Sequence, residues 1–298
     1  MKLSGADILV RCLKEQGVDT LFGYPGGTVL DIYDAIYRDG TLRHILTAHE
    51  QGAAHAADGY ARATGRTGVV IATSGPGATN LVTGIATAYM DSSPLVAITG
   101  NVTVANLGRD SFQEVDIAGI TMPVTKHNYI VKDIRELAPT IREAFYIANA
   151  GRKGPVLIDI PKNIQTELCE YEEKKAERHA PRRVEESALE AVRAALDKAK
   201  RPLIIAGGGC IGSGAPENLL RFAKILQAPV SATLMGLGAY PASDEQFLGL
   251  IGMHGTDASA KAFRRADAVI ACGMRFSDRV AGGRVKFRAG KTVIQFDI

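Results

Sequence analysis

The sequence predicts an α/β fold with two doubly wound parallel-sheet domains, and three observations support that prediction. Short apolar runs rich in β-branched residues alternate with helical stretches along most of the 298 residues. The apolar runs are nearly continuous, as they are in a parallel sheet that helices cover on both faces. The alternation stops in a charged segment at residues 170–187 and then begins again. We therefore expect two layered α/β domains in succession.

The first half of the chain predicts a domain over residues 1–169. Ser4 can cap a helix whose third residue is Asp7, and Gly17 ends that helix. Buried strands are predicted at residues 67–73, 95–99 and 156–160. Helices are predicted at residues 28–37, 51–64, 78–90 and 133–149.

Residues 170–187 are charged, lack a hydrophobic stripe and contain Pro181, so we predict a surface linker there. A second domain is predicted over residues 188–298. Its elements are a helix at 187–200 and strands at 202–206, 228–231, 267–272 and 292–296. Ile298 directly follows the last strand, which would leave a sheet face and edge uncovered. We therefore expect the second domain to be incomplete at its C-terminus.

The net charge, the cysteines and the apolar segments of the sequence argue against several classes of partner. The net charge is only +3 and the basic residues are scattered, which argues against nucleic acid. The four cysteines are far apart and form no Cys-x-x-Cys pair, which favours reduced thiols over disulfides or a zinc site. The sequence has no signal-peptide apolar stretch and no segment of membrane-spanning length. We expect a soluble, cytoplasmic protein without a membrane partner.

Glu50 begins a predicted helix that is unusually rich in small residues. Six alanines and two glycines between positions 52 and 63 let other backbones approach this helix closely. An acidic residue in a first helical turn has an ordinary explanation in the helix dipole. The downstream segment Thr-Ser-Gly-Pro-Gly-Ala-Thr-Asn at 73–80 favours a functional interpretation, in which the carboxylate faces a ligand.

Three glycine-rich turns follow predicted strands. The turn at residues 23–28 either lets a ligand approach the backbone or is an ordinary tight turn with Thr28 as helix cap. Residues 74–77 form a similar turn with free amides, but no Gly-Lys-Ser/Thr follows as in a Walker A loop. Residues 207–212 resemble a dinucleotide loop without its regular glycine spacing.

Three other side chains have ordinary explanations when each is taken singly. Lys162 can be a solvated loop charge, His254 a turn histidine and Arg279 a surface ion-pair partner.

Taken in this order, the motifs resemble the catalytic subunits of acetolactate synthases (acetohydroxyacid synthases), which are thiamine-diphosphate enzymes. The resemblance extends over essentially all 298 residues and is densest from Gly23 to Val102. It implies a pyrimidine-binding α/β domain, then a central domain that holds FAD, and a diphosphate-binding domain after it.

The resemblance also implies a reaction. Glu50 would hydrogen-bond the aminopyrimidine ring of thiamine diphosphate and favour the tautomer that deprotonates the thiazolium carbon. That carbon would attack pyruvate, carbon dioxide would leave, and the remaining two-carbon unit would join a second 2-oxo acid. Pyruvate as acceptor gives 2-acetolactate, and 2-oxobutyrate gives 2-aceto-2-hydroxybutyrate. These are early products of branched-chain amino-acid biosynthesis.

The resemblance implies a role for individual residues of this sequence. Glu50, Gly26, Gly27, Pro76 and Asn80 match positions along thiamine diphosphate, Phe112 and Gln113 match the reaction centre, and Lys162 matches the access channel. The positions that match FAD contacts are Arg152, Gly207, Gly208, Leu234, Met235, Met253, His254, Gly255, Gly273, Arg275 and Val280. Arg279 matches the arginine that selects the second 2-oxo acid, through its carboxylate. This FAD would be structural, since the net reaction transfers no electrons.

The chain departs from the family in two places. Ser277 stands where the family has Asp in Arg-Phe-Asp-Asp-Arg, which bears on the FAD contacts there. No Gly-Asp-Gly with a downstream Asn occurs, so we expect the Mg²⁺ and diphosphate ligands outside this chain. The chain alone should then be inactive. A homodimer is expected because the family builds each cofactor site from two subunits, and a small regulatory subunit remains open.

Three alternatives stay open. One is another thiamine-diphosphate enzyme, such as a pyruvate oxidase, a glyoxylate carboligase or an FAD-free catabolic acetolactate synthase. Another is a non-catalytic binding or regulatory fragment. A plain nucleotide-binding α/β protein is the third, although it leaves the pairs His49-Glu50 and Phe112-Gln113 unexplained.

Overall fold

A computed structural model describes residues 1–177 and 183–298. These residues form two compact units, one on either side of residue 180. Each unit contains one parallel sheet with helices on both faces, so the predicted α/β class with two parallel-sheet domains is confirmed.

The first unit contains eight strands among its described residues: β1 Lys2–Ser4, β2 Thr20–Gly23, β3 Arg43–Leu46, β4 Gly68–Ala72, β5 Leu95–Asn101, β6 His127–Ile130, β7 Pro155–Pro161 and β8 Leu168–Glu170. Six of them form a parallel sheet in the order β3-β2-β4-β5-β7-β6. The crossover from β4 to β5 and then to β7 places the three most apolar strands side by side in the middle of the sheet.

The helices of the first unit are α1 Gly5–Glu15, α2 Leu30–Asp39, α3 Glu50–Thr64, α4 Pro76–Asn80, α5 Val82–Asp91, α6 Ile117–Thr121, α7 Ile134–Asn149 and α8 Lys162–Thr166. Short 3₁₀ turns lie at Gly27–Val29, Val104–Asn106 and Met122–Val124. The predicted cap of α1 is confirmed, because the Ser4 hydroxyl accepts a hydrogen bond from the Asp7 amide at 3.2 Å. Within the described residues, no helix is long and apolar enough to cross a membrane.

The core of the first unit lies on both faces of its sheet. Alternate residues of β4 point in opposite directions, so Val69 and Ile71 pack on the face covered by α1, α2 and α7. Val70 and Ala72 pack on the other face, against α3 and α5. All five β4 residues are buried, which explains why this strand is a continuous apolar run in the sequence.

The start of the predicted linker belongs to the first unit. Strand β8 pairs antiparallel with β1 and includes Glu170, and the Tyr171 side chain is only 6% exposed. The Tyr171 hydroxyl donates to Glu15, whose carboxylate also accepts two 2.8 Å hydrogen bonds from Arg142. A charged composition concealed this ordered segment, because the Tyr171 hydroxyl and the backbone of Glu172 and Lys174, not its charged side chains, contact Glu15 of α1 and Arg142 of α7. Pro181 and the rest of 178–182 lie outside the described residues.

The second unit contains strands β9 Pro202–Ala206, β10 Val230–Ala232, β11 Phe247–Leu250, β12 Ala268–Cys272 and β13 Thr292–Phe296. Its helices are α9 Glu186–Leu196, α10 Gly208–Gly212, α11 Pro216–Leu226, α12 Asp257–Arg265, α13 Asp278–Ala281 and α14 Arg284–Arg288. A 3₁₀ turn lies at Leu234–Gly236. The strands are parallel, in the order β11-β10-β9-β12-β13.

Two of the predicted helices differ most from the structure, while the helix predicted at 28–37 is observed two residues later, at Leu30–Asp39. The helix predicted at 78–90 is divided into α4 and α5, since the Leu81 amide donates to Ala78 in a tighter turn. The helix predicted at 187–200 begins one residue earlier and ends at Leu196. Its first two residues, Glu186 and Ser187, lie within the segment predicted to be a linker.

Candidate functional site

One edge of the first unit gathers the residues predicted to bind thiamine diphosphate and those predicted for the reaction centre and its access channel. The carboxyl ends of parallel strands meet at the same edge of a sheet, where α/β proteins bind their ligands. Gly26 and Gly27 follow β2, and Glu50 follows β3. The others follow the next strands in the sheet: Pro76 and Asn80 after β4, Phe112 and Gln113 after β5, and Lys162 after β7.

Glu50 is the first residue of α3, and its side chain is half-buried. His49 caps the helix, because its ring Nδ1 accepts a hydrogen bond from the Gln51 amide at 3.1 Å. The Glu50 carboxylate oxygen Oε2 accepts a hydrogen bond from Asn80 Nδ2 at 3.0 Å. The carboxylate is therefore directed toward the turn that follows β4.

The glycines of that turn are close to Glu50 and Gln113. A Cβ at Gly77 would lie 2.7 Å from Thr73 Cγ2 and 3.3 Å from Glu50 Oε1. Gly75 has φ +60°, and a Cβ there would lie 2.6 Å from the Gln113 carbonyl oxygen. Larger residues at positions 75 and 77 would therefore displace the surroundings of Glu50 or of Gln113.

Two threonines join the turns that follow β2 and β4. The Thr28 amide donates to Thr73 Oγ1 at 3.2 Å, and the Ser74 amide donates to Thr28 Oγ1 at 3.0 Å. A Cβ at Gly26 would lie 2.5 Å from Thr73 Cβ. The interpretation of Thr28 as an ordinary helix cap is wrong, since its hydroxyl serves the neighbouring turn and α2 begins two residues later.

Lys162 holds the glycine turn at residues 26–27. Its ammonium donates to the Gly27 carbonyl at 3.1 Å and forms a 2.8 Å ion pair with Asp31. Gln165, one turn further along α8, donates to the Thr28 carbonyl at 2.7 Å. Lys162 is therefore more than a solvated loop charge. Sequence reasoning missed Asp31 and Gln165, because no local motif marks partners more than 100 residues apart.

Phe112 and Gln113 behave differently from each other. Gln113 has φ +55°, an unusual conformation for a residue with a side chain, and its backbone packs on Gly75. The Phe112 side chain is 85% exposed, so it faces outward from this chain. The structure brings the Gln113 backbone into the site but leaves the Phe112 ring free of it.

The residues around Glu50 fit an aminopyrimidine ring. The Ser74 hydroxyl is buried and has no hydrogen-bond partner within the residues that the structure describes. Ser74 belongs to the same turn as Gly75 and Gly77, and the Gly77 amide donates to the Ser74 carbonyl at 3.3 Å. A buried polar atom without a partner is rare in proteins and is a group that a polar heterocycle can satisfy.

A buried carboxylic acid, Asp159, lies near the end of β7. Thr99 Oγ1 and Asn101 Nδ2 donate to it at 2.6 and 2.5 Å. The Val102 amide donates to Asn101 Oδ1, which fixes the orientation of the Asn101 amide group. Burial raises the pKa of Asp159 to about 6, because the two hydrogen bonds offset only part of the desolvation.

The residues predicted to contact FAD in the second unit also gather at one edge of a sheet. All of them follow the carboxyl ends of parallel strands: Gly207 and Gly208 after β9, Leu234 and Met235 after β10, Met253, His254 and Gly255 after β11, and Gly273, Arg275 and Val280 after β12. Arg279, predicted to select the second 2-oxo acid, also follows β12. The chain is therefore organised in the same way in both units.

Contacts between these loops are close. The Gly209 amide donates to the Gly273 carbonyl at 2.9 Å, and a Cβ at Gly208 would lie 3.1 Å from Met235 Cβ. The Met253 amide donates to the Arg279 carbonyl at 2.8 Å, beside a cavity of 410 Å³. Met253, Arg279 and Val280 line that cavity. Leu234 and Met253, which follow β10 and β11, are exposed, and the predicted contacts of these loops with FAD stay predictions.

Arg152 lies in the first unit, and its side chain is hydrogen-bonded there. Its guanidinium donates to Ser92 Oγ at 2.7 Å and to the carbonyls of Tyr89 and Met90 at 3.2 Å. These contacts cover the C-terminal end of α5, where cations are favoured. The predicted contact of Arg152 with FAD stays a prediction.

The fold and this site agree with two family profiles. Residues 3–120 match the thiamine pyrophosphate enzyme N-terminal TPP binding domain, and residues 189–298 match the central domain of the same enzymes. The chain belongs to the thiamine pyrophosphate enzyme family. The first profile includes the turns that follow β2, β3 and β4 and the pair Phe112-Gln113 after β5, but not Lys162 after β7.

Within that family the chain is similar to acetolactate synthases. It is 47% identical to the acetolactate synthase large subunit of Haemophilus influenzae, over 100% of this chain and 53% of that protein. It is 49% identical to the probable acetolactate synthase large subunit of Methanocaldococcus jannaschii, over 99% of this chain and 51% of the relative. It is 46% identical to the chloroplastic acetolactate synthase of Arabidopsis thaliana, over 99% of this chain and 44% of that protein. The chain spans about half the length of the curated relatives it matches.

Proposed function

We propose that this chain is the pyrimidine-binding and central part of an acetolactate synthase large subunit. The whole protein would decarboxylate pyruvate and join the product to pyruvate or 2-oxobutyrate. The observation that carries the proposal is the Glu50 carboxylate, held by Asn80 beside the bare backbone of Gly77. Relatives named acetolactate synthase align with the whole chain at 46–49% identity.

The residues of this chain have distinct roles in the proposed reaction. Glu50 would bind a nitrogen of the pyrimidine ring and exchange a proton with it, as a general acid–base group does. Gly27 leaves open space in which the ring can approach the backbone, Gly26 and Gly77 let Thr73 pack against theirs, and Lys162 holds the turn at Gly27 in place. Bound thiamine diphosphate supplies the carbon nucleophile that decarboxylation of a 2-oxo acid requires.

Further components of the proposal rest on the family resemblance. The loops after β9 to β12 would hold a structural FAD, and Arg279 would pair with the carboxylate of the second 2-oxo acid. Mg²⁺ and the cofactor diphosphate would be bound by sequence outside these 298 residues, and two copies would complete each site. The word "large" in the relatives' names supports a smaller regulatory partner.

The test uses a protein that contains this chain and is as long as the acetolactate synthases to which the chain is similar. Supplied with pyruvate, thiamine diphosphate, Mg²⁺ and FAD, it should form 2-acetolactate, and added 2-oxobutyrate should divert the product. Hydrogen peroxide formed from pyruvate would identify an oxidase instead, and glyoxylate coupling a carboligase. Retained flavin without any turnover would identify a non-catalytic protein.

The 298-residue chain alone provides a second test. We expect it to form no acetolactate under the same conditions. Turnover by this chain would contradict the assignment of the Mg²⁺ and diphosphate ligands to sequence outside it.

A further inference from the structure

We propose that Asn80 is a positioning residue for Glu50, and not only a contact of the cofactor. Its amide would hold one carboxylate oxygen, so that the other oxygen alone faces the pyrimidine ring. This inference rests on the proposed function, since it assigns the orientation of the group that would bind the ring.

The first step is the hydrogen bond itself. Asn80 Nδ2 donates to Glu50 Oε2 at 3.0 Å, across 30 residues of sequence. Asn80 is the last residue of α4, and Glu50 is the first residue of α3, so the bond joins the turns that follow two different strands. The backbone at Asn80 is held on either side, because the Thr79 amide donates to Gly75 and the Leu81 amide donates to Ala78.

The second step is the difference between the two carboxylate oxygens. Oε2 receives the Asn80 amide, which is a donor and cannot accept a proton. Oε1 is directed toward Gly77, where a Cβ would lie 3.3 Å away. A proton shared with a ring nitrogen would therefore be placed on Oε1, because a proton on Oε2 would oppose the N–H of Asn80.

The third step is the charge around the carboxylate. None of the ion pairs within the described residues includes Glu50. Behind it, the Tyr33 hydroxyl on α2 lies 3.2 Å from His44 Nε2 on β3. Burial lowers the pKa of His44 and raises that of Tyr33, so both stay uncharged near neutral pH. The neighbouring His49 ring is engaged as the helix cap. The orientation of Glu50 thus depends on a neutral amide and not on a counter-charge.

The test compares Asn80→Ala with Thr79→Ala. Thr79 lies on the same short helix, and its hydroxyl donates only to the Pro76 carbonyl, so this control loosens α4 without touching Glu50. Crystal structures of the 298-residue chain and both variants would show the carboxylate directly. We expect Glu50 to keep one orientation in the unmodified chain and in Thr79→Ala, and to lose it in Asn80→Ala.

A second experiment measures deprotonation of the cofactor in a protein that contains this chain and is as long as its relatives. The rate of hydrogen–deuterium exchange at the thiazolium carbon of saturating thiamine diphosphate should fall about tenfold or more in Asn80→Ala, with cofactor affinity changed far less. Thr79→Ala should leave the exchange rate unchanged.

Two results would overturn the inference. One is an unchanged Glu50 orientation in Asn80→Ala. The other is weaker cofactor binding with normal exchange at saturation, which would make Asn80 a cofactor contact only. If the unmodified protein neither accelerates exchange nor forms product, the proposed function fails, and the crystal structures still decide whether Asn80 orients Glu50.

Discussion

Some acidic side chains of the first unit pair with arginines, and others, such as Glu50 and Asp159, accept hydrogen bonds from neutral amides. Glu15 and Asp58 each pair with an arginine, at 2.8 Å. Glu50 instead accepts from the neutral amide of Asn80. The arginines provide a counter-charge, whereas the Asn80 amide occupies only Oε2 of Glu50 and leaves Oε1 for a ligand.

Replacing Glu50 with glutamine tests this role. Glu50→Gln keeps the size of the side chain but cannot exchange a proton, so acetolactate formation should fall by a factor of about 10² or more. The circular dichroism spectrum and melting temperature should stay close to those of the unmodified protein, because the group is half-buried and makes one hydrogen bond. Activity within a few-fold of normal would remove Glu50 from the proposed mechanism.

Asp159 provides a prediction about pH and stability. Its pKa is about 6 in the folded chain, above the ordinary value of 3.8, so the folded state holds its proton more tightly than the unfolded state. The free energy of unfolding should therefore fall as the pH rises from about 4 to about 6, by about 3 kcal/mol from this group. Asp159→Asn should remove that contribution.

Urea denaturation at several pH values between 4 and 7 measures the effect. The difference in unfolding free energy between the unmodified chain and Asp159→Asn should change across this range and become constant above it. Parallel curves for the two proteins would show that Asp159 titrates normally when buried. The absolute stability of the variant is not the test, because the new amide also meets Asn101.

Among the helices and strands, α3 has small residues on two sides, and the surroundings of these two sides differ. One side of the helix is approached closely, since a Cβ at Gly84 of α5 would lie 2.3 Å from Ala54 Cβ. The other side has open space, since a Cβ at Gly59 meets nothing within 4 Å. The interpretation of this segment as a helix that other backbones approach is confirmed for the side that faces α5.

The same substitution should have opposite effects at these two glycines. Gly84→Ala should lower the free energy of unfolding by about 1–3 kcal/mol, because the added methyl group overpacks the contact with Ala54. Gly59→Ala should raise it by about 0.5–1 kcal/mol, because alanine is the better helix former and has room. Equal effects, measured by chemical denaturation, would contradict this account of the packing.

Most of the strands that the sequence predicted are central in their sheets, although the predicted strand β13 lies at an edge. The central strands β4, β5 and β7 are fully buried, so their apolar runs are continuous and easily identified. Strands β3 and β6 lie at the edges of the sheet and β11 at the edge of the other. Their partly exposed residues mix polar and apolar types, as in Arg-His-Ile-Leu of β3, and the pattern is no longer distinctive.

For the whole molecule, the cores of the two units are separate. Every hydrophobic cluster among the described residues is made of residues from one unit only. Each sheet has an apolar cluster on both faces, which is the requirement for a domain that folds alone. The predicted uncovered face next to β13 is therefore wrong, and β13 is an edge strand of its sheet.

Residues 1–177 and 183–298, expressed separately, should each fold. We expect each to show the circular dichroism of an α/β domain and a cooperative thermal transition. Residues 1–120 are the control, since they lack β7 and α7, whose Ile141, Phe145 and Ile158 belong to the core of the first unit. A cooperative transition for that shorter piece, or none for 183–298, would contradict the division.

Local pattern was sufficient for the α/β class, for the central strands and for Glu50 as the start of a small-residue helix. These features depend on periodicity and on motifs within a few neighbouring residues. The pairing of Asn80 with Glu50, the attachment of Lys162 to Gly27 and the burial of Asp159 required the folded chain. Such contacts depend on the order and register of strands, which bring together side chains that no spacing along the chain relates.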